Sequence, residues 1–581
     1  MPRLANSIDD IKNHYQAVVI GSGYGGSIAA SRLARAGVKV CVLERGREFQ
    51  PGEYPNTRRQ LAKETQLDLP GRHIGSQTAL IDLRFNDDIN VFVGCGLGGT
   101  SLINGGVSLR VEPRVFDDER WPIEIRDEAR SSRGESDEEG WEFRGLSKYY
   151  ELAETMLRPS RYPEHYPRLA KMAALEKAAQ QMKLPFNPVP INVNFEEFPG
   201  GLNHVGVSQI PCIGCGDCAS GCNYGAKNTL IVNYLPDARN HGAELFTQAS
   251  VQYLERRGDQ WVVHGQKLGS EAKGSTPQEF TVTADIVILG AGTMGSNEIL
   301  LRSREKGLSL SDALGSSFSG NGDVVGFSYN TEQVINGIGF GNRNPKGREP
   351  VGPFASGIID ARRQHDFLVI EGSLPGAMSA VLPFVLATAD ELVGVEPETG
   401  IIESIKRKIR ILLSLFSAYT GATGRTQTYL VVNQDDSGGR MFLQDNRLRV
   451  SWPTVGQAEF IERSRDILKE ATRVLGGTFL TTVKWNKWTA QSLLTGHPTG
   501  GCAMADEAGG GVVNHKGQVY KGKMGTEVHK GLYVMDAAVL SRSIGVNPLL
   551  TISALAERSC HHMAQDYGWT IDYRLPRAEG R

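Results

Sequence analysis

The densest set of potential ligands in this sequence of 581 residues is a run of four cysteines. Cys212, Cys215, Cys218 and Cys222 have the spacing Cys-x2-Cys-x2-Cys-x3-Cys, which is the spacing of bacterial ferredoxins. The run predicts a [4Fe-4S] or [3Fe-4S] cluster, although Asn223 stands where ferredoxins carry proline. There are two alternatives: a structural zinc ion, for which two separated ligand pairs are more typical, and unligated or disulfide-bonded thiols.

A glycine-rich turn near the start of the chain has the spacing of a dinucleotide-binding fingerprint. The turn Gly21-x-Gly23-x-x-Gly26 follows the apolar run 15–20 and precedes a helix-like segment, which is the context that the fingerprint requires. Its backbone can approach a pyrophosphate closely, and the helix N-terminus offers free N–H groups. Glu44 lies 18 residues beyond Gly26, where its carboxylate can accept hydrogen bonds from ribose hydroxyls. The alternative is a glycine-rich turn without a ligand.

A parallel sheet has to position these residues. Residues 15–20, 38–43 and 284–289 are short apolar runs typical of buried parallel strands, and a Gly-Ala-Gly turn and a helix-like segment follow the third run. A second glycine-rich window, 94–106, contains six glycines, which indicates bare backbone next to a flat or anionic group. The pattern predicts an α/β fold with a Rossmann-like nucleotide-binding domain.

Composition excludes several classes of protein. The chain is 40% hydrophobic and 22% charged, as globular proteins are. Its net charge of −2 excludes a strongly basic surface, so we expect no nucleic-acid partner. The N-terminal residues lack the apolar core of a signal peptide, and no apolar run is long enough to span a membrane. These features predict a cytoplasmic protein.

Three segments together resemble the glucose–methanol–choline (GMC) flavoprotein oxidoreductases, and within that family the branch of bacterial cholesterol oxidases. The first is the glycine turn with Glu44-Arg45-Gly46, and the second is GCGLGGTSLIN at 94–104. The third combines HPTGGCAM at 497–504 with GLYVMDAAVLSRSIGVNPLL at 531–550. The resemblance covers nearly the whole chain, and its strongest motifs lie at the two ends.

The resemblance implies two domains. The first is a Rossmann-like, p-hydroxybenzoate-hydroxylase-like domain that binds FAD and is assembled from residues 10–125, 205–325 and 488–575. The second is an α+β substrate-binding domain or lid with an antiparallel sheet, from residues 126–204 and 326–487. The residues that the resemblance assigns to FAD are Gly21, Gly23, Gly25, Gly26, Glu44, Gly94, Gly98, Gly99, Ser101, Asn104, Val251, Gly292, Asp536 and Asn547.

The resemblance also implies the catalytic groups. His497 would remove the hydroxyl proton of an alcohol, and Asn547 would orient that hydroxyl group; a histidine with a near-neutral pKa suits the first task. Glu371 matches the glutamate that moves a proton during Δ5 to Δ4 isomerisation in cholesterol oxidases, and burial in an apolar strand would raise its pKa. The alternative for Glu371 is a strand residue that faces solvent or pairs with an arginine.

The expected substrate is a bulky, apolar, sterol-like alcohol, because the apolar segment 376–423 is typical of a lid or wall for such a molecule. Within this segment KRKIR precedes ILLSLF, which is consistent with peripheral membrane contact, although a buried helix is favoured. The electron acceptor is either oxygen or, in an iron–sulfur flavoprotein dehydrogenase, a protein or quinone. A non-catalytic flavin-binding protein is the alternative of another class.

Overall fold

The computed structural model describes residues 2–132, 145–269, 278–395, 400–453, 455–481 and 493–575. The strands in this part of the chain are β1 (His14–Ile20), β2 (Val40–Leu43), β3 (Thr65–Leu69), β4 (Arg72–Ile74), β5 (Ile81–Arg84), β6 (Ile89–Gly94), β7 (Phe186–Pro188), β8 (Glu244–Phe246), β9 (Ala249–Arg257), β10 (Gln260–Lys267), β11 (Gln278–Leu289), β12 (Val324–Tyr329), β13 (Gly357–Ala361), β14 (Phe367–Gly372), β15 (Gln427–Asn433), β16 (Arg440–Gln444), β17 (Arg447–Ser451), β18 (Thr478–Thr481), β19 (Leu493–Thr495), β20 (Gln518–Tyr520) and β21 (Val528–Val534).

The helices surround these strands. They are α1 (Tyr24–Arg35), α2 (Arg58–Lys63), α3 (Ile123–Ser131), α4 (Ser147–Leu157), α5 (Ala170–Met182), α6 (Tyr234–Asn240), α7 (Gly292–Glu305), α8 (Arg362–His365), α9 (Leu382–Val393), α10 (Ile401–Phe416), α11 (Glu459–Leu475) and α12 (Leu549–Tyr567). None of the helices in the described ranges is both long enough and apolar enough to cross a membrane.

The first large sheet has the order β20-β21-β11-β1-β2-β8, and β10 and β9 extend from β11. The strands from β21 to β8 run parallel, and α1 packs against α6 and α12 over this sheet. The middle of β1 is apolar because both faces are covered: Val18 and Val19 are fully buried. The unit β1-α1-β2 confirms the predicted Rossmann-like fold, although β2 begins two residues later than expected, at Val40.

The second large sheet is antiparallel throughout, with the order β18-β12-β15-β14-β13-β7. Its strands come from the two segments predicted to form the substrate domain, except that β12 begins at Val324, and α5 and α11 pack on it. The predicted antiparallel sheet is therefore confirmed. The domain boundaries stay a prediction, and the boundary at 488 lies outside the described residues.

The apolar segment 376–423 forms α9 and α10, as its helix-like pattern predicts. The favoured interpretation of a buried helix is wrong for α10. Its large apolar residues are mostly exposed, up to 85% at Phe416. The physical reason is that a charged side chain, Arg407, occupies the inner side of the helix and is only 5% exposed.

The first turn of α1 packs closely against the loop after β21. A Cβ atom added at Gly25 would lie 1.3 Å from the carbonyl oxygen of Met535. We expect Gly25→Ala to lower the free energy of unfolding by about 3 kcal/mol or more, since two backbone segments would have to separate. Urea denaturation measures this change. Gly522→Ala is the control, because a Cβ atom there meets nothing within 4 Å; equal effects of the two substitutions would contradict the packing argument.

Candidate active site

A cavity of about 470 Å³ lies at the carboxyl ends of the parallel strands. Ile20, Leu43 and Leu289, the last residues of β1, β2 and β11, stand at this edge, where open α/β sheets bind their ligands. Many of the predicted FAD-binding and catalytic residues line the cavity: Gly21, Gly23, Gly25, Glu44, Gly94, Gly99, Asn104, Val251, Gly292, Asp536, His497 and Asn547.

Three of the predicted FAD-binding residues lie behind the cavity wall. Gly26 permits close packing, because a Cβ atom there would lie 2.1 Å from the carbonyl oxygen of Gly21. Gly98 has a left-handed backbone conformation with φ of 106°. The hydroxyl group of Ser101 donates to the carbonyl oxygen of Gly98 at 2.6 Å. These residues shape the loops, whereas direct contact with FAD stays a prediction.

The N-terminus of α1 has free N–H groups that favour binding of an anion. Its N-cap, Gly23, has no side chain, so the first-turn N–H groups of the helix have no side-chain cap. The carboxylate of Glu44 is fixed nearby by the backbone N–H and hydroxyl groups of Ser22, at 3.1 and 2.7 Å, and by the N–H of Gly46, at 2.7 Å. Free N–H groups and a fixed carboxylate therefore lie side by side, as the predicted pyrophosphate and ribose contacts require.

Asp536 joins two of the loops at the cavity. Its carboxylate accepts hydrogen bonds from the N–H of Gly292 at 2.9 Å, the hydroxyl group of Ser296 at 2.5 Å and the N–H of Ala538 at 2.9 Å. Burial raises the pKa of Asp536 to about 6, and these three hydrogen bonds oppose the rise. The loop after β21 is thereby tied to the N-terminus of α7.

His497 and Asn547 are brought together across 50 residues of sequence. The Nδ2 atom of Asn547 lies 3.1 Å from Nε2 of His497. The Nδ1 atom of His497 lies 2.8 Å from Oδ1 of Asp323. Because a carboxylate only accepts, Asp323 places the proton on Nδ1 and leaves Nε2 as the basic nitrogen.

Asp323 is a candidate site residue that the sequence does not reveal. It precedes β12 and lies 174 residues before His497. Its side chain is 1% exposed, and its Oδ2 atom also accepts from the hydroxyl group of Thr495 and the N–H of Gly496. No motif surrounds it, so only the fold identifies it as the partner that orients His497.

Glu371 is placed elsewhere, on β14, and does not line the cavity. The ammonium group of Lys171 donates to it at 2.5 Å, and Ser356 donates through its N–H and hydroxyl groups at 2.7 and 2.5 Å. Glu371 is fully buried, so it matches the paired alternative, with lysine instead of arginine. Its role in isomerisation stays a prediction.

The four cysteines of the run line a second, smaller cavity together with Lys227. All four are free thiols, which excludes the disulfide alternative for this conformation. Among the described residues no three His, Cys, Asp or Glu side chains converge on a position for a single metal ion, so the structure does not support zinc. A cluster is likewise not shown.

The GMC oxidoreductase family models match residues 15–309 and 454–556. The chain belongs to the GMC oxidoreductase family. It is 28% identical over 577 residues to a cholesterol oxidase of Mycobacterium tuberculosis, covering 94% of this chain and 91% of that protein. It is 22% identical over 587 residues to a long-chain-alcohol oxidase of Arabidopsis thaliana, covering 94% and 66%, respectively. A solved fungal aryl-alcohol oxidase has the same fold, with a TM-score of 0.56 at 16% identity, covering 96% of this chain and 100% of that chain.

The family models confirm the resemblance at the level of the family: GMC oxidoreductases are FAD-dependent enzymes that act on CH–OH donors. The cavity fits the flavin, because polar groups that line it lack partners. The Oδ1 atoms of Asn104 and Asn547 are buried without a hydrogen bond, in addition to the uncapped start of α1. These groups and the carboxylate of Glu44 are the residues that would hold FAD.

We expect Asp323→Asn to slow reduction of the flavin by substrate by about 10²–10⁴-fold, because an amide cannot hold His497 in the same tautomer. Anaerobic stopped-flow absorbance measures the rate, and its pH profile should shift. Asp435→Asn is the control, since this buried carboxylate accepts from Ser319 and Gly322 without contacting His497. Wild-type rates and pH profile in the Asp323 variant, with flavin bound, would contradict the assignment.

Proposed function

We propose that this protein oxidises a bulky, apolar, sterol-like alcohol, with His497 as the base that removes the hydroxyl proton. The observation that carries the proposal is the chain of contacts from Asp323 through His497 to Asn547 at the wall of the cavity. Relatives named for cholesterol and for long-chain alcohols support a large apolar substrate. The same relatives are oxidases by name, which favours oxygen as the acceptor.

The residues at the cavity divide the reaction between them. The hydroxyl proton of the alcohol passes to Nε2 of His497, and Asp323 stabilises the positive charge that forms on the ring. Asn547 lies beside Nε2 and orients the hydroxyl oxygen through its amide group. FAD, when bound, would supply the acceptor for a hydride from the alcohol carbon. Loss of a proton and a hydride converts the alcohol into a carbonyl compound.

His497→Ala is expected to slow flavin reduction by about 10²–10⁴-fold, because the proton acceptor is lost. The measurement is anaerobic stopped-flow bleaching of the flavin by a panel of sterols and long-chain alcohols. His14→Ala is the control, since His14 is exposed on β1. Undiminished bleaching in the His497 variant would exclude its role as the base. A wild-type protein that no alcohol reduces would favour the non-catalytic alternative.

The cysteine run favours a second candidate function, an iron–sulfur flavoprotein dehydrogenase that passes electrons to a protein or quinone. Its support is the ammonium group of Lys227, which is buried beside the thiols and donates to the carbonyl oxygens of Leu102 at 3.2 Å and Asn104 at 2.6 Å. Burial lowers the pKa of Lys227 to about 8, and the nearby Cys218 and Cys222 oppose this. A negatively charged cluster would stabilise this cation and lie next to the loop predicted to contact the flavin.

Analysis of iron and acid-labile sulfide in anaerobically purified protein tests the second candidate. A [4Fe-4S] cluster predicts about four of each per chain, together with broad visible absorption beneath the flavin bands. Cys218→Ser should remove both, whereas Cys560→Ser, at a buried thiol on α12, should leave them intact. Wild-type protein without iron would eliminate this candidate, and stoichiometric zinc would restore the zinc alternative.

A further inference from the structure

Exposed apolar side chains are concentrated on α9 and α10. Within the described part of the chain, seventeen large hydrophobic residues are exposed, and ten of these lie between Phe384 and Phe416. Seven of the ten belong to α10, and they define what we call the apolar face of α10: Ile402, Ile405, Ile409, Leu412, Leu413, Leu415 and Phe416. Contiguous exposed apolar surface of this kind marks an interaction site.

The residues of the apolar face follow the helical repeat. Their spacing of three and four residues, from Ile402 through Ile405 and Ile409 to Leu412 and Phe416, places them on one side of the helix. On this side the exposed fractions run from 50% at Leu413 to 85% at Phe416, and Leu415, which is 40% exposed, lies at its border. An ordinary surface helix turns its apolar side toward the core, whereas α10 turns it away.

The opposite side of α10 is polar and fixed to the protein. The guanidinium group of Arg407 donates to the carbonyl oxygens of Asn330 at 3.2 Å and Gly476 at 3.1 Å, and to the hydroxyl group of Thr478. Ser414, on the same side, is fully buried. These bonds attach α10 to the ends of β12 and β18, so rotation of the apolar face into the protein would break them.

Charge indicates what covers the apolar face. Lys406 and Lys408 are exposed. At 100° per residue, Lys406 borders the apolar face beside Leu413, and Lys408 lies at the other border, between Leu412 and Leu415. Lysines at the borders of an apolar helix face favour a lipid surface with anionic headgroups. α10 has 16 residues, or a length of about 24 Å, which is too short to cross a bilayer and sufficient to lie in its plane.

We propose that α9 and α10 dock the protein on an anionic lipid bilayer, with the apolar face of α10 inserted at the level of the headgroups. The proposal goes beyond the proposed function and is independent of it, because lipid binding is measured without turnover. A second copy of this chain is the alternative occupant, and the experiment distinguishes the two.

The test is flotation of the FAD-loaded protein with vesicles of phosphatidylcholine, with and without phosphatidylserine. We expect binding to the mixed vesicles that weakens at high salt. The triple substitution Ile405→Ser, Ile409→Ser and Leu412→Ser should reduce binding by about tenfold or more. These side chains are more than half exposed, so the fold is unaffected, and flavin absorbance and the thermal midpoint check this.

The matched control replaces three exposed apolar residues outside α9 and α10, Ile123, Val334 and Met524, by serine. This variant should bind vesicles as the wild type does. Lys406→Glu with Lys408→Glu should weaken binding to phosphatidylserine vesicles and remove its salt dependence. Absence of wild-type binding to the mixed vesicles would overturn the proposal. A wild-type dimer in light scattering that the triple substitution converts to monomer, without vesicle binding, would assign the face to self-association instead.

Discussion

The structure depends on direct contact between backbone segments at the carboxyl edge of the parallel sheet. A Cβ atom at Gly21 would lie 2.5 Å from the Cα atom of Ala291, and one at Gly25 would lie 1.3 Å from the carbonyl oxygen of Met535. Three chain segments that are hundreds of residues apart therefore meet where no side chain fits. Each of the three segments follows a strand, β1, β11 or β21, and these strands are hydrogen-bonded to one another. The positions of the three segments are therefore determined together.

This contact also determines the positions of the proposed catalytic groups, His497 and Asn547. The N–H of Gly500 donates to the carbonyl oxygen of Ala537, which ties the loop after His497 to the loop after β21. Asn547 stands at the start of α12, and Glu557 of that helix forms a buried ion pair with Arg32 of α1, with bonds of 2.7 and 2.6 Å. Breaking such a pair costs about 3–5 kcal/mol, so the two helices hold the site rigidly.

The antiparallel sheet contributes at two separate places. One end, just before β12, supplies Asp323, which contacts His497 in the cavity. The ends of β12 and β18 also hold Arg407 and thereby the orientation of α10. The sheet thus determines both the tautomer of His497 and the direction in which the apolar side of α10 faces.

The sequence alone determined the elements whose signals are local. The apolar run, glycine turn and helix of β1 and α1 were predictable because adjacent residues make the strand, the turn and the helix start. The helical pattern of 376–423 was also predictable, although the favoured buried position was wrong for α10. The family resemblance added His497 and Asn547 as a pair. Glycine-rich windows indicated close approach of the backbone to a ligand. The structure shows Gly21 and Gly25 close to other backbone segments at the cavity, whereas contact with a ligand stays a prediction.

Only the tertiary structure decided which groups meet. Asp323 and His497 are 174 residues apart, and no sequence pattern around either residue indicates the other as its partner. Packing of α5 on the antiparallel sheet brings the ammonium group of Lys171 to the carboxylate of Glu371. The alternating pattern of a strand does not predict this ion pair. The direction of the apolar face of α10 depends on acceptors at the ends of distant strands. Periodicity predicts that a helix has two faces, whereas the partners of Arg407 decide which of them is turned outward.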